Sequence, residues 1–138
     1  MAINNTYTVS LEKTYRCSKE AILNLFRDNA LFTLTGADNI QSEFNTGGLF
    51  TLVFTNRGVI SGKFTKITGN EIVLDWNVEG FQRPREVNTI VKIMLREENE
   101  SCILSLIHKN IMHAGAAEAK RKAWTEILEE IEKHLNNG

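Results

Sequence analysis

Apolar residues recur at helical spacing across Ala116–Leu135. Trp124, Ile127, Leu128, Ile131 and Leu135 fall on one stripe, and Lys, Arg and Glu cover the rest of the surface. This spacing predicts a long amphipathic helix. From Phe44 up to that helix the pattern has period two, so the helix must bury its stripe against a sheet. Phe50, Leu52 and Phe54 alternate with polar or smaller neighbours, and Val59–Ile67 forms the next run. Ile72, Leu74 and Trp76 point one way, with Glu71, Asp75 and Asn77 the other. Val87, Thr89, Val91, Ile93 and Leu95 make a long face opposite Asn88 and Lys92, and Ser101–Lys109 closes the series.

The N-terminal part opens with a half-buried strand over Thr6–Tyr15, where Tyr7, Val9 and Leu11 alternate with Thr8, Ser10 and Glu12. Ser18 is then placed to cap a helix with its hydroxyl, and Glu20 suits the positive end of the helix dipole. Ile22, Leu25 and Phe26 form one side of that short helix, which ends near Arg27-Asp28. Ala30–Leu34 adds a further helical turn. Ala37–Ser42 has no strong period and is expected to be loop. Gly47-Gly48 marks a bulge or a close backbone approach at the start of a strand. Asn56-Arg57-Gly58 and Thr68-Gly69-Asn70 are turns, with Gly58 expected to take positive φ. Val78–Arg85 is a looser connection holding the sole proline, Pro84.

The order is strand, one or two short helices, five strands, long helix. Links between strands are short, which makes the neighbours antiparallel. The expectation is an α+β body: a curved antiparallel six-stranded sheet wrapped around a long C-terminal helix. The chain of 138 residues is expected to form a single domain over 1–138. At that length roughly two-thirds of the unfolded surface can be buried, enough for a substantial core. A curved sheet gripping one helix also leaves room for a pocket between them, the usual place for an apolar ligand.

Charge and motif content narrow the function classes. A net charge of −1 supplies no global field for nucleic acid or an anionic membrane. The longest apolar stretch, Ile103–Ile107, is too short to span a bilayer, so no membrane insertion is expected. The N-terminus carries no apolar signal-peptide core, and Cys17 and Cys102 form no CxxC. These features read as reduced thiols in a cytoplasmic protein. GxSxG, Walker and GxGxxG motifs are absent. Cys102, His108 and His113 lack metal-site spacing, so no metal and no cofactor are expected.

Several motifs in order resemble the START-like (SRPBCC) superfamily, and within it the heat-shock protein 90 ATPase activator homologues. They are Gly47-Gly48 before an aromatic-rich strand, Gly62–Ile67, the strand end Ile72–Trp76, Thr89–Val91, Leu104–His108, and Trp124 with Leu128. The chain departs from the pattern at Cys17-Ser18, where members usually have Pro, and at Lys66, which replaces the commoner Glu. The resemblance implies the helix-grip fold and a cavity that binds a small hydrophobic molecule, lipid-like or aromatic, without catalysis. It also implies two alternatives: a chaperone-associated module acting through its surface, or a cyclase- or aromatase-like enzyme on the same cavity. A monomer or weak homodimer is expected.

The candidate ligand-binding residues follow from the inward faces. The strands supply Phe50, Phe54, Phe64 and Trp76, and the connection after them supplies Phe81 and Arg83. The last strand supplies Leu104, Leu106 and His108, and the segment beyond supplies Met112, Trp124 and Leu128. Trp76 and Trp124 either cap a ligand or fill the sheet–helix gap as core aromatics. His108 either hydrogen-bonds a ligand as an acid–base group or is a satisfied histidine near a strand end. Arg83 and Arg85 flank Pro84 and either clamp an anionic head group or decorate a solvated turn. Lys120, Arg121 and Lys122 read as a solvent face with pairs such as Glu118–Lys122.

Overall fold

The computed structural model describes residues 6–136. Seven strands form one antiparallel sheet: β1 (Tyr7–Tyr15), β2 (Asn39–Ser42), β3 (Leu49–Phe54), β4 (Gly58–Ile67), β5 (Glu71–Gly80), β6 (Glu86–Glu98) and β7 (Ser101–Ile111). Two short helices, α1 (Lys19–Arg27) and α2 (Ala30–Thr33), follow β1, and α3 (Ala114–Asn136) follows β7. The strand order is β1-β7-β6-β5-β4-β3-β2. The first strand therefore returns beside the last, and β2 forms the far edge. This is the helix-grip arrangement that the resemblance implies.

Local chemistry explains the elements. The Ser18 hydroxyl accepts a hydrogen bond from the Ala21 amide at 3.2 Å, and Arg27 reaches back to Glu20 at 2.9 Å. The buried stripe of α3 is Trp124, Ile127, Leu128 and Ile131. This helix lies over the β1 and β7 end of the sheet. The Tyr15 hydroxyl on β1 donates to the Leu128 carbonyl at 2.7 Å, fixing the helix against the strand. Next to α3, the concave face is filled by rings. Phe32 of α2 stacks on Phe50 at 5.2 Å between centroids, Phe50 meets Trp76 at 5.7 Å, and Trp76 meets Trp124 at 5.1 Å. Such pairs add about 0.5–1.5 kcal/mol each beyond area burial.

Three local expectations are corrected. Asn39–Ser42 is a strand, not a loop, so the sheet has seven strands rather than six. Four residues carry too little pattern to announce a strand, and pairing with β3 decides it. At the β3–β4 turn the positive φ belongs to Asn56 (64°) and not to Gly58. Gly58 is needed for space instead: a Cβ there would lie 2.5 Å from the Phe81 ring. The third correction is in β6. Its alternation breaks near Asn88, which takes a φ of 62° and donates its amide to the Asn77 side chain at 2.9 Å. The register with β5 shifts there, from Trp76↔Thr89 to Val78↔Glu86. The bulge turns Glu86 into the concave face and leaves Val87 40% exposed.

Candidate functional site

Between the two tryptophans and β7 stands the His108 ring, 6.1 Å from Trp76 and 6.3 Å from Trp124 between centroids. The Trp124 indole N–H donates to His108 Nδ1 at 3.0 Å. Thr89 Oγ1 donates its only proton to the Trp76 carbonyl, so it accepts from His108 Nε2, 3.0 Å away. These two bonds fix a neutral imidazole with its proton on Nε2. Burial, helped by the positive charge of Lys120, lowers its pKa from 6.5 to about 3. With both nitrogens committed and no exposure, His108 acts as a structural tie between β7, β6 and α3.

A pH prediction follows from that tie. Unfolded, the imidazole titrates near 6.5, and folded it does so at about 3. Between these values the unfolded chain takes up a proton that the native chain refuses. His108 therefore contributes full stability above pH 6.5 and loses it as pH falls through the window, by up to about 1.4 kcal/mol per pH unit. Melting temperature measured from pH 7 to pH 4 should fall less steeply for His108→Gln than for the parent chain. Equal slopes would show that His108 is not held neutral.

The space lies beside this tie, where α3 leaves the β3–β5 side of the sheet. A cavity of about 270 Å³ opens there. Its floor is Phe54, Ile60, Trp76 and Val78 from the strands, and its far wall is Ala119, Ala123, Trp124 and Ile127 from α3. Phe81 and Arg83 from the β5–β6 turn, Arg57 from the β3–β4 turn, and Thr35 complete the rim. The guanidinium of Arg57 sits over the Phe54 ring at 5.3 Å and that of Arg83 over Phe81 at 5.7 Å. Gly80, Phe81 and Gln82 all take positive φ, which folds the turn back over Gly58.

Three polar groups of the cavity, Thr35, Arg57 and Lys120, lie outside the sequence candidates, and Lys120 is the buried one. Lys120 is a buried residue, not part of a solvent face, and its ammonium lies 2.6 Å from Glu86 Oε1. Burial lowers its pKa; the bond to Glu86 opposes this, and the charge of Arg83 adds to it. Glu86 Oε2 is buried and accepts no hydrogen bond from any of the described residues. Glu86 also lines a second cavity of about 310 Å³, with Arg83, Pro84, His113, Gly115 and Ala116. The ion pair thus stands between two spaces that share Arg83. Lys120 lies four residues before Trp124, on the apolar stripe itself, and that spacing is the signal that marks it. The Glu118–Lys122 pair is not formed among the described residues.

Phe54, Trp76, Phe81, Arg83 and Trp124 of the twelve candidates line the cavity of about 270 Å³. Phe50, Phe64, Leu104, Leu106 and Leu128 pack in the core, and His108 lies behind the Trp pair. Met112 is half exposed and lines neither cavity. Arg85 is exposed and lines neither cavity. No group of three or more His, Cys, Asp or Glu among the described residues is placed to hold a metal. No helix among them is long and apolar enough to cross a membrane.

The family model for activator of Hsp90 ATPase homolog 1-like protein matches residues 17–136. Among solved structures, an HSP90 activator from Plasmodium falciparum is 24% identical, with a TM-score of 0.73 over 94% of this chain and 96% of that one. Protein MLL2253 from Mesorhizobium loti gives a TM-score of 0.80 at 14% identity, over 95% and 98%. The Aha1 dimer from Colwellia psychrerythraea gives 0.73 at 15% identity, over 91% and 93%. No curated protein matches the chain. At these identities the structural likeness establishes the fold and leaves function to the site.

Proposed function

The chain belongs to the activator of Hsp90 ATPase homolog 1-like family, and on that premise we propose that it binds a small hydrophobic molecule in the cavity beside α3. Family and fold support a ligand-binding or Hsp90-activator-like module. The observation favouring a ligand within that choice is the cavity itself. Its lining is mostly apolar and aromatic, with few polar groups at the rim, which is the usual make-up of a small-molecule site. Binding is non-catalytic in this reading, because His108, the one histidine on the inward face of β7, has neither lone pair nor proton to spare. The protein acts as one domain in the cytoplasm, as a monomer or weak homodimer.

Native mass spectrometry of protein purified from its own cells tests this. The expected result is a retained apolar compound of defined mass. Empty protein that also shows no thermal shift across a library of lipids and aromatic metabolites would contradict the proposal.

The chaperone reading has its own support in the family match. It expects stimulation of a heat-shock protein 90 ATPase by the purified chain, through an exposed face and independently of the cavity. Stimulation that persists after the cavity is filled by Ile60→Trp would favour it over the ligand reading.

A further inference from the structure

The charged residues of the cavity are all of one sign. Arg57, Arg83 and Lys120 line it, and no Asp or Glu does, in a chain whose net charge is −1. Neither arginine has an acidic partner among the described residues, and each lies over an aromatic ring at the rim. Lys120 has three N–H donors and gives one to Glu86. Lys120 inside the cavity and Arg83 at its rim carry two positive charges against the one negative charge of Glu86. The balance of +1, beside an apolar floor, lacks a monoanion.

We propose that the ligand is an amphipathic carboxylate, with its apolar body on Trp76, Val78 and Trp124 and its head group between Lys120 and Arg83. This rests on the ligand-binding reading above and specifies it. A carboxylate matches the fork of a guanidinium with two parallel hydrogen bonds and also accepts from an ammonium. An alcohol uses one of these donors and gains no charge term. A cation meets three like charges in a low-dielectric cleft. The cavity volume of about 270 Å³ suits a compact body, a medium alkyl chain or a ring with a short tail. A fatty acid and an aromatic acid share this chemistry and are the two sources to be distinguished.

The chain has two tryptophans, and both line the cavity, so intrinsic fluorescence reports occupancy directly. Decanoate and 4-phenylbutyrate are titrated against 1-decanol, 4-phenyl-1-butanol and decylammonium at low salt. The acids are expected to bind about 10- to 100-fold more tightly than the matched alcohols, the range one charge-assisted hydrogen bond supplies. Preference for the chain or for the ring then identifies the source. Because Lys120→Met leaves Glu86 unpaired and endangers folding, Arg83→Gln, at an exposed position, is the main variant. It should weaken the acids by about 10-fold and the alcohols by much less. Alcohols binding as well as acids, decylammonium binding best, or Arg83→Gln weakening both classes equally would overturn the anion assignment while the ligand reading stands. Failure of every probe would overturn both.

Discussion

Trp124→Ala is expected to lower unfolding free energy by about 3–5 kcal/mol, the range for removing a buried Trp or Phe side chain. Trp124 is 3% exposed and sits where three kinds of contact meet. Its ring packs on Trp76 at 5.1 Å, its indole N–H supplies the partner of His108 Nδ1, and its edge closes the cavity. Truncation removes the packing and orphans a buried acceptor together, which places the effect toward the upper end. Trp124→Phe separates the two terms: it keeps most of the ring packing and strips the donor, so it should cost about 1–3 kcal/mol. Urea unfolding of both variants checks this. A near-neutral alanine variant would mean that α3 does not grip the sheet through this residue.

Lys120→Met should destabilise the fold by about 3–5 kcal/mol, because it leaves the Glu86 carboxylate buried without its counter-ion. The two side chains are 8% and 5% exposed and their charged atoms 2.6 Å apart. Such a pair is not itself a large source of stability, since each charge has lost its water. The double variant Glu86→Leu with Lys120→Met should therefore recover most of the loss and fall within about 1–2 kcal/mol of the parent. If the single variant were as stable as the double, the pair would be solvated and the polar end of the cavity misassigned.

The elements with strong periodicity were legible in the sequence. The stripe Trp124–Ile131, the alternation Ile72–Trp76 and the Ser18 cap each state locally what the structure does globally. The edge strand Asn39–Ser42 was not legible, because its pairing with β3 comes from tertiary contact and not from its own pattern. The inward turn of Glu86 was hidden by the bulge at Asn88. A strict period of two carries Val87 into the core, and one residue in the left-handed region reverses that. Lys120 was obscured by its neighbours Arg121 and Lys122, although its place four residues before Trp124 sets it on the buried stripe.

The concave face was legible in the sequence, and which of its residues line the cavity was not. Inward-facing aromatics pointed correctly to the concave face, but sequence does not show which of them touch each other. Phe50, Phe64, Leu104 and Leu106 satisfy one another and fill the centre. Where the helix swings toward β1 the filling stops, and Phe54, Ile60, Val78 and Phe81 are left facing open volume. The His108 alternatives are resolved by two hydrogen bonds that join residues 16 and 19 positions apart.

The most direct test of the cavity reading compares native mass spectra of the parent chain and Ile60→Trp, both purified from the original cells. Ile60 is partly buried on the cavity floor, so the larger ring occupies the volume without entering the packed centre. A discrete bound mass on the parent chain, absent from a folded Ile60→Trp, is the predicted result. Parent protein that carries nothing, or a bound mass shared equally by both proteins, would contradict it.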